Sequence, residues 1–147
     1  VTPARAQQLG VTMLSLDELV AQSDFITIHI PKTPETTGLI GADQFAIAKP
    51  SLRIVNASRG GIIDEDALYA ALKSKRIAGA GLDVFVHEPP TGSPLLSLDN
   101  IILTPHLGAS TDEAQEKAGV SVAKYVRLEN DGEKITDAIN IAERKNK

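Results

Sequence analysis

The sequence predicts an α/β fold, in which a parallel sheet carries helices on both faces. Four short runs rich in aliphatic and β-branched residues alternate with segments of helical periodicity, and this alternation is typical of α/β domains. The runs are too continuous in apolar residues to leave one face in water, which favours a buried parallel sheet. The 147 residues, 42% of them hydrophobic, suit one domain of ordinary composition. The four predicted strands are Phe25–Ile30, Leu52–Ala57, Ala78–Val84 and Asn100–Thr104.

The first elements of the chain have recognisable start signals. A helix is expected after Thr2, because Pro3 stands at its first position. Val11–Leu14 is a fifth and weaker strand candidate. Ser15 and Glu18 form a capping box, in which a hydroxyl and a carboxylate satisfy two free amides at the start of a second helix.

Two further helices are predicted in the second half of the chain. Asp64 can cap a helix over Glu65–Ser74, where apolar residues fall on one face. Ser110–Glu113 is a second capping box that opens a long exit helix. We expect residues 1–130 to form the domain with this helix. Residues 131–147 are polar and charged, so we expect a short return segment followed by disorder.

Composition and charge exclude several classes of function. The chain has no cysteine, which excludes disulfides and thiolate chemistry and fits a reducing cytoplasm. Its net charge of -4, without a basic cluster, makes nucleic acid an unexpected partner. No apolar stretch approaches the roughly 18 residues of a membrane helix, so we expect a cytoplasmic protein without a membrane partner. No His or carboxylate pair has metal-ligand spacing, and no metal is expected.

The residues that directly follow the predicted strands are the candidates for chemistry, because open α/β sheets bind ligands outside the carboxyl ends of their strands. His106 comes first, since imidazole both gives and takes a proton near neutral pH. Glu88, beyond the neighbouring strand, can accept a hydrogen bond from the other ring nitrogen and fix the tautomer. Arg59 offers a fork suited to bidentate binding of a carboxylate. With a hydride acceptor, this set suffices to oxidise a 2-hydroxy acid.

Each of these residues has a plain alternative role. Arg59 could be a surface or salt-bridge residue, His106 a solvated loop histidine and Glu88 a polar loop residue. Their position at three consecutive strand ends, two of them beside glycine, favours a site. We interpret His29, within a buried strand, and His87, without a partner, as structural.

The glycines are candidates for turns or for close approach to a ligand. Gly60 and Gly61 would let the backbone pass close to a ligand, although a strand-to-helix turn explains them nearly as well. Amides at the helix start after Gly108 could hold an anion, but most helix starts hold none. Gly79 and Gly81 begin a G-x-G-x-x-G-like pattern that lies in a predicted strand, so it is not a phosphate loop.

Three ordered motifs resemble those of the D-isomer-specific 2-hydroxyacid dehydrogenases. They are Asn56–Asp64 (NASRGGIID), Gly81–Pro90 (GLDVFVHEPP) and Thr104–Thr111 (TPHLGAST). The similarity, to the second half of that family's nucleotide-binding domain, runs from Val1 to about Ala123. It implies a Rossmann-like sheet that lacks its first β-α-β unit. It also implies NAD-dependent oxidation of a small D-2-hydroxy acid, with 3-phosphoglycerate, a precursor in serine biosynthesis, as the expected substrate.

The resemblance also assigns roles to individual residues. The catalytic Arg, Glu and His of the family fall on Arg59, Glu88 and His106, which the strand-end argument also selects. The adenine side of NAD would lie near Ile30, and its nicotinamide amide near Asp83. The implied NAD contacts are Ile30, Pro31, Ala57, Ser58, Arg59, Asp83, His106, Gly108 and Ala109.

The family's first strand, Gly-rich turn and acidic ribose-binding residue are expected to precede Val1, so the choice between NAD and NADP stays open. Two intervening strands would then be absent between Val11–Leu14 and Phe25–Ile30. The open edge of the latter strand favours pairing, and a homo-oligomer is expected. Three hypotheses remain for the chain itself. It could be an active dehydrogenase, a non-catalytic α/β module without productive cofactor binding, or a cofactor-sensing regulator on the same scaffold.

Overall fold

A four-stranded parallel sheet organises the molecule, with its strands side by side in chain order. The computed structural model describes residues 2–133 and 135. The predicted α/β class and parallel sheet are confirmed, and each strand is shorter than its apolar run because the flanking residues enter the connecting loops. The strands are β1 (Phe25–Ile28), β2 (Arg53–Asn56), β3 (Gly79–Leu82) and β4 (Ile101–Leu103).

The predicted helices form, and the start signals of the first two work as expected. Thr2 accepts a hydrogen bond from the Arg5 amide, and Ser15 and Glu18 form the capping box in both directions. Two short elements, a helix at Ala42–Ile47 and a 3-10 turn at Pro94–Ser97, are not predicted, because four to six residues are too few to show a helical period. The helices are α1 (Pro3–Leu9), α2 (Leu16–Gln22), α3 (Ala42–Ile47), α4 (Glu65–Lys73) and α5 (Asp112–Asn130).

Two local predictions are wrong. Val11–Leu14 forms no strand, because a strand needs a partner for its backbone groups. In the described structure both edge strands keep a single partner, β1 with β2 and β4 with β3. The long helix is capped by Thr111 and not by Ser110, since the Thr111 hydroxyl accepts from the Ala114 amide at 3.2 Å. The third position after this cap is Ala114, so the predicted reciprocal box with Glu113 does not form there.

The core lies on one face of the sheet. Ile26 and Ile54 point into it and pack in one cluster with side chains of α2, α3 and α4. The sequence predicts helices on both faces, but the opposite face of the sheet is exposed. Its residues Phe25, Val55 and Ile102 are 72%, 44% and 74% exposed. Parallel crossovers are right-handed, so strands that advance in one direction place all their connections on one face. The strand order therefore explains why these helices cover a single face.

The chain divides into two compact units, Val1–Gly108 and Ala109–Lys147. The first contains the sheet and α1 to α4. The second contains α5, which has no buried residue. The expected boundary at residue 130 stays a prediction, and the expected tail lies, apart from residues 131–133 and 135, outside the described residues. Among the described helices, none has the length and apolar character needed to cross a bilayer.

Candidate functional site

The loops after β1 and β2 are joined by backbone hydrogen bonds at the carboxyl end of the sheet. The Gly38 amide donates to the Gly61 carbonyl at 2.8 Å, and the Ile40 amide donates to the Ile62 carbonyl at 3.2 Å. The Asp64 amide returns to the Ile40 carbonyl at 2.9 Å. These bonds hold the two strand ends in register, so the side chains that follow β1 and β2 lie along one rim.

Glu88 and His106 are brought together by the loops after β3 and β4. His106 Nδ1 lies 2.7 Å from Glu88 Oε2, and the two side chains are 48% and 37% exposed. Glu88 Oε1 accepts a second bond from the Phe85 amide at 2.9 Å. The hydrogen bond from His106, aided by that amide, holds the pKa of Glu88 below its usual value. Glu88 therefore stays a carboxylate, while His106 Nε2 has no hydrogen bond to the described residues.

Asp83 holds the turn that carries His106. Asp83 Oδ1 accepts from the Thr104 hydroxyl at 2.5 Å and from the Leu107 amide at 2.7 Å. Asp83 Oδ2 accepts from the Gly108 amide at 2.7 Å. Burial by itself raises the pKa of Asp83, but these hydrogen bonds outweigh it and leave the pKa below its usual value. The buried carboxylate thus stabilises His106 in a left-handed conformation, with φ of 56°.

Asn56 performs the same task for the loop that carries Arg59, a role the sequence analysis missed. Its Nδ2 donates to the Arg59 carbonyl at 2.9 Å, and its Oδ1 accepts from the Ser58 amide and hydroxyl at 3.1 and 2.9 Å. Asn56 is 2% exposed. An Asn two residues before a Ser at a strand end is a signal for such an Asx turn. The Arg59 guanidinium donates to the Ser58 carbonyl at 2.7 Å.

Gly60 and Gly61 serve different purposes. A Cβ on Gly60 would stand 1.8 Å from the Phe85 carbonyl oxygen, so the loop of Arg59 packs directly on the Phe85 peptide. Gly61 has a φ of 83°, which an L side chain rarely adopts. The close approach at Gly60 is therefore to the protein's own backbone, and Gly61 is a turn residue.

A depression of about 430 Å³ lies at the ends of β1 and β2, and four predicted site residues line it: Ile30, Pro31, Ser58 and Arg59. His29 also lines it and is exposed beyond the end of β1, so its interpretation as a buried strand residue is wrong. Ala57, another predicted NAD contact, has its carbonyl oxygen 3.5 Å from the point where a Cβ added to Gly108 would stand. Ala109 begins the second unit.

Another cavity, of about 240 Å³, is lined by Glu65, Asp66 and His87 among others. Within the described residues, no group of three or more His, Asp and Glu side chains is arranged to hold a metal ion.

Comparisons with known proteins agree with this arrangement. Residues 1–108 match the family model described as D-isomer specific 2-hydroxyacid dehydrogenase, NAD binding domain. The chain is 55% identical over 141 residues to D-3-phosphoglycerate dehydrogenase of Mycobacterium leprae, a match that covers 96% of this chain and 27% of that protein. The chain thus spans little more than a quarter of that relative's length.

Solved structures of related enzymes have the same fold. D-lactate dehydrogenase from Aquifex aeolicus, complexed with NAD and lactic acid, matches with a TM-score of 0.81 and 33% identity over 90% of this chain and 44% of that one. A D-isomer specific 2-hydroxyacid dehydrogenase from Xanthobacter autotrophicus Py2, in complex with NADPH and MES, matches with a TM-score of 0.72 and 38% identity over 83% of this chain and 50% of that one.

The resemblance inferred from the three motifs is confirmed, and so is the assignment to an NAD-binding domain. The matched residues include the whole sheet, together with the loops of Arg59, Glu88 and His106. By this match, the chain belongs to the D-isomer specific 2-hydroxyacid dehydrogenases, within their NAD-binding domain.

Proposed function

We propose that this chain carries the proton-transfer and carboxylate-binding residues for NAD-dependent oxidation of a D-2-hydroxy acid, with 3-phosphoglycerate as substrate. The observation that supports this most directly is the 2.7 Å contact between His106 Nδ1 and Glu88 Oε2 at the carboxyl end of the sheet. The substrate is proposed from the name of the 55% identical relative, a D-3-phosphoglycerate dehydrogenase.

We assign a distinct task to each of the three residues. His106 Nε2 faces no protein partner in the described structure, so it can take the proton of the C2 hydroxyl as the C2–H bond breaks. Glu88 accepts from Nδ1, which selects the tautomer and stabilises the imidazolium that forms. Arg59 binds the substrate carboxylate through its guanidinium fork and holds the hydroxyl carbon beside His106.

The residues at the strand ends fit a dinucleotide chemically. Ile30 and Pro31 provide an apolar wall, and Ser58 and Arg59 beside them provide a hydroxyl and a cation. Asp83 Oδ2 accepts only the Gly108 amide among the described groups, which leaves it a lone pair for the nicotinamide amide. When bound, NAD supplies the hydride acceptor.

The test is formation of NADH by the purified chain with 3-phosphoglycerate and, in parallel, D-lactate. In this assay His106→Ala should lower turnover by about 10²- to 10⁴-fold, the usual contribution of a general base. Arg59→Lys should instead raise the KM for the hydroxy acid, since Lys cannot form the bidentate contact. His87→Ala is the matched histidine control and should leave turnover unchanged.

A titration with NAD distinguishes the remaining hypotheses. Saturable NAD binding without turnover on any 2-hydroxy acid would favour a cofactor-binding module or sensor. The absence of both NAD binding and turnover would overturn the proposal and favour a non-catalytic α/β module. Preference for D-lactate over 3-phosphoglycerate would keep the reaction and reject the proposed substrate.

A further inference from the structure

The Phe85–Val86 segment is held by two carboxylates at adjacent amides. Glu88 Oε1 accepts from the Phe85 amide at 2.9 Å, and Glu65 Oε1 accepts from the Val86 amide at 2.6 Å. Glu65 is the first residue of α4 and is half-buried, whereas Glu88 lies on the loop itself. The segment is therefore held to α4 through Glu65 and to Glu88 through the Phe85 amide.

A third contact connects the same segment to the loop of Arg59. The Gly60 backbone packs so closely on the Phe85 carbonyl that no Cβ could stand between them. Glu65 lies six residues after Arg59, just past the turn that Gly60 and Gly61 form. The stretch from Gly60 to Glu65 thus contacts residues 85–86 twice, through the Gly60 backbone and through the Glu65 side chain.

We propose that Glu65 is a positioning residue for the Glu88–His106 pair, acting through its 2.6 Å hydrogen bond with the Val86 amide. The inference rests on the proposed catalytic role of that pair. Val86 is two residues before Glu88, so the position of the Val86 backbone constrains the position of the Glu88 backbone. The Glu88 side chain can then reach both the Phe85 amide and His106 Nδ1. Without the Glu65 oxygen, the Val86 amide loses the acceptor that ties this loop to α4.

The contact has a requirement that is simple to test. It needs an oxygen acceptor at the end of a side chain as long as glutamate, and it does not need the negative charge. Glu65→Gln keeps the acceptor and the length. Glu65→Asp keeps the charge at the start of α4 but is shorter by one C–C bond, about 1.5 Å. Glu65→Ala removes both. Asp66→Ala, at the next position in the first turn of α4, is the matched control.

NMR of the ¹³C,¹⁵N-labelled chain provides readouts that do not depend on turnover. The first is hydrogen exchange of the Phe85 amide, and the second is the low-field resonance of His106 Nδ1–H bonded to Glu88. The third is the pKa of Glu88, which lies below its usual value in the wild-type chain. We expect Glu65→Ala and Glu65→Asp to speed Phe85 exchange about tenfold, weaken the His106 resonance and raise the pKa of Glu88. Glu65→Gln and Asp66→Ala should leave all three at wild-type values.

The proposal is overturned if Glu65→Asp keeps all three signals, or if Glu65→Gln loses them as Glu65→Ala does. A generally loosened fold would also speed exchange of core amides such as Ile54. Normal Ile54 exchange in Glu65→Asp would therefore show that the change is local to the Phe85–Glu88 loop. Wild-type signals in a chain that turns over no hydroxy acid would contradict the proposed function and leave the positioning role of Glu65 intact.

Discussion

Asp83 and Gly108 are joined by a 2.7 Å hydrogen bond from the Gly108 amide to Asp83 Oδ2. A Cβ on Gly108 would stand 2.9 Å from the same oxygen, so the carboxylate lies directly against the glycine backbone. Through this contact the end of β3 fixes the turn after β4, and that turn carries His106. The position of the proposed base thus depends on a buried carboxylate of a neighbouring strand.

Asp83→Ala should destabilise the protein strongly. The substitution leaves the Thr104 hydroxyl and the Leu107 and Gly108 amides without their acceptor. These donors belong to residues that are exposed, so water can partly replace the lost acceptor. At about 0.5–1.5 kcal/mol for each of the three hydrogen bonds, we expect a loss of about 1.5–4.5 kcal/mol in the free energy of unfolding. Urea denaturation measures it. Asp43→Ala, an exposed aspartate of α3, should cost about 0.5 kcal/mol or less. Equal losses in the two variants would contradict this account.

The stabilisation by Asp83 should depend on pH in a defined direction. Its pKa lies below the usual value in the folded state, so its contribution to stability is fully present above the unfolded aspartate value of about 3.9. The contribution is lost as pH falls through the lower, folded-state pKa. The difference in unfolding free energy between the wild type and Asp83→Asn should therefore narrow below about pH 4. If the difference widened on acidification, the pKa of Asp83 would not be lowered in the folded state.

Glu88→Gln should separate catalysis from binding. The amide cannot stabilise the imidazolium of His106 as the carboxylate does, so kcat should fall by about 100-fold. The dissociation constant of NAD should change little, because Glu88 contacts His106 and the Phe85 amide and is not among the proposed NAD contacts. Steady-state kinetics and calorimetric titration measure the two effects. Glu116→Gln, on α5, is the control, and a loss of NAD binding in Glu88→Gln would reject the assigned role.

Gly60→Ala should be among the most damaging single-methyl additions in the chain. The new Cβ would stand 1.8 Å from the Phe85 carbonyl oxygen, so two backbone segments must separate. We expect a loss of about 3 kcal/mol, at the upper end for overpacking, measured by thermal or urea unfolding. Gly119→Ala places its methyl group in open space within α5 and should stabilise the helix by up to about 1 kcal/mol. If Gly60→Ala, like Gly119→Ala, caused no loss in the free energy of unfolding, the close approach at Gly60 would not be rigid.

Phe25→Lys should reduce self-association if the exposed edge of the sheet mediates it. Phe25 lies on edge strand β1, with the Arg53 guanidinium 5.8 Å from its ring centroid as its cation–π partner. Exposed edge strands pair readily, and a lysine on the edge opposes pairing. Sedimentation of the wild type should show a concentration-dependent oligomer that Phe25→Lys shifts toward the monomer. Leu96→Lys, on the 3-10 turn, should have no effect, and a monomeric wild type would refute the expected homo-oligomer.

The strand and helix positions could be predicted from the sequence because they depend on local signals. The capping box of Ser15 and Glu18 acts over three residues, and Asp64 caps α4 through the Ala67 amide. The four apolar runs contain the four strands. The catalytic candidates also follow from sequence order, since residues directly after parallel strands must lie at one edge of the sheet. The 2.7 Å contact between Glu88 and His106 was expected on these grounds.

Other features depend on partners distant in sequence, and only the tertiary structure decided them. Val11–Leu14 has strand-like residues but no strand to pair with, and the exposed face at Phe25 follows from the one-directional order of the strands. The hydrogen bond of Glu65 with Val86 spans 21 residues, and that of Asp83 with Leu107 spans 24. No periodicity or capping signal encodes such contacts, because they form only once separate strand ends have packed at the same edge of the sheet.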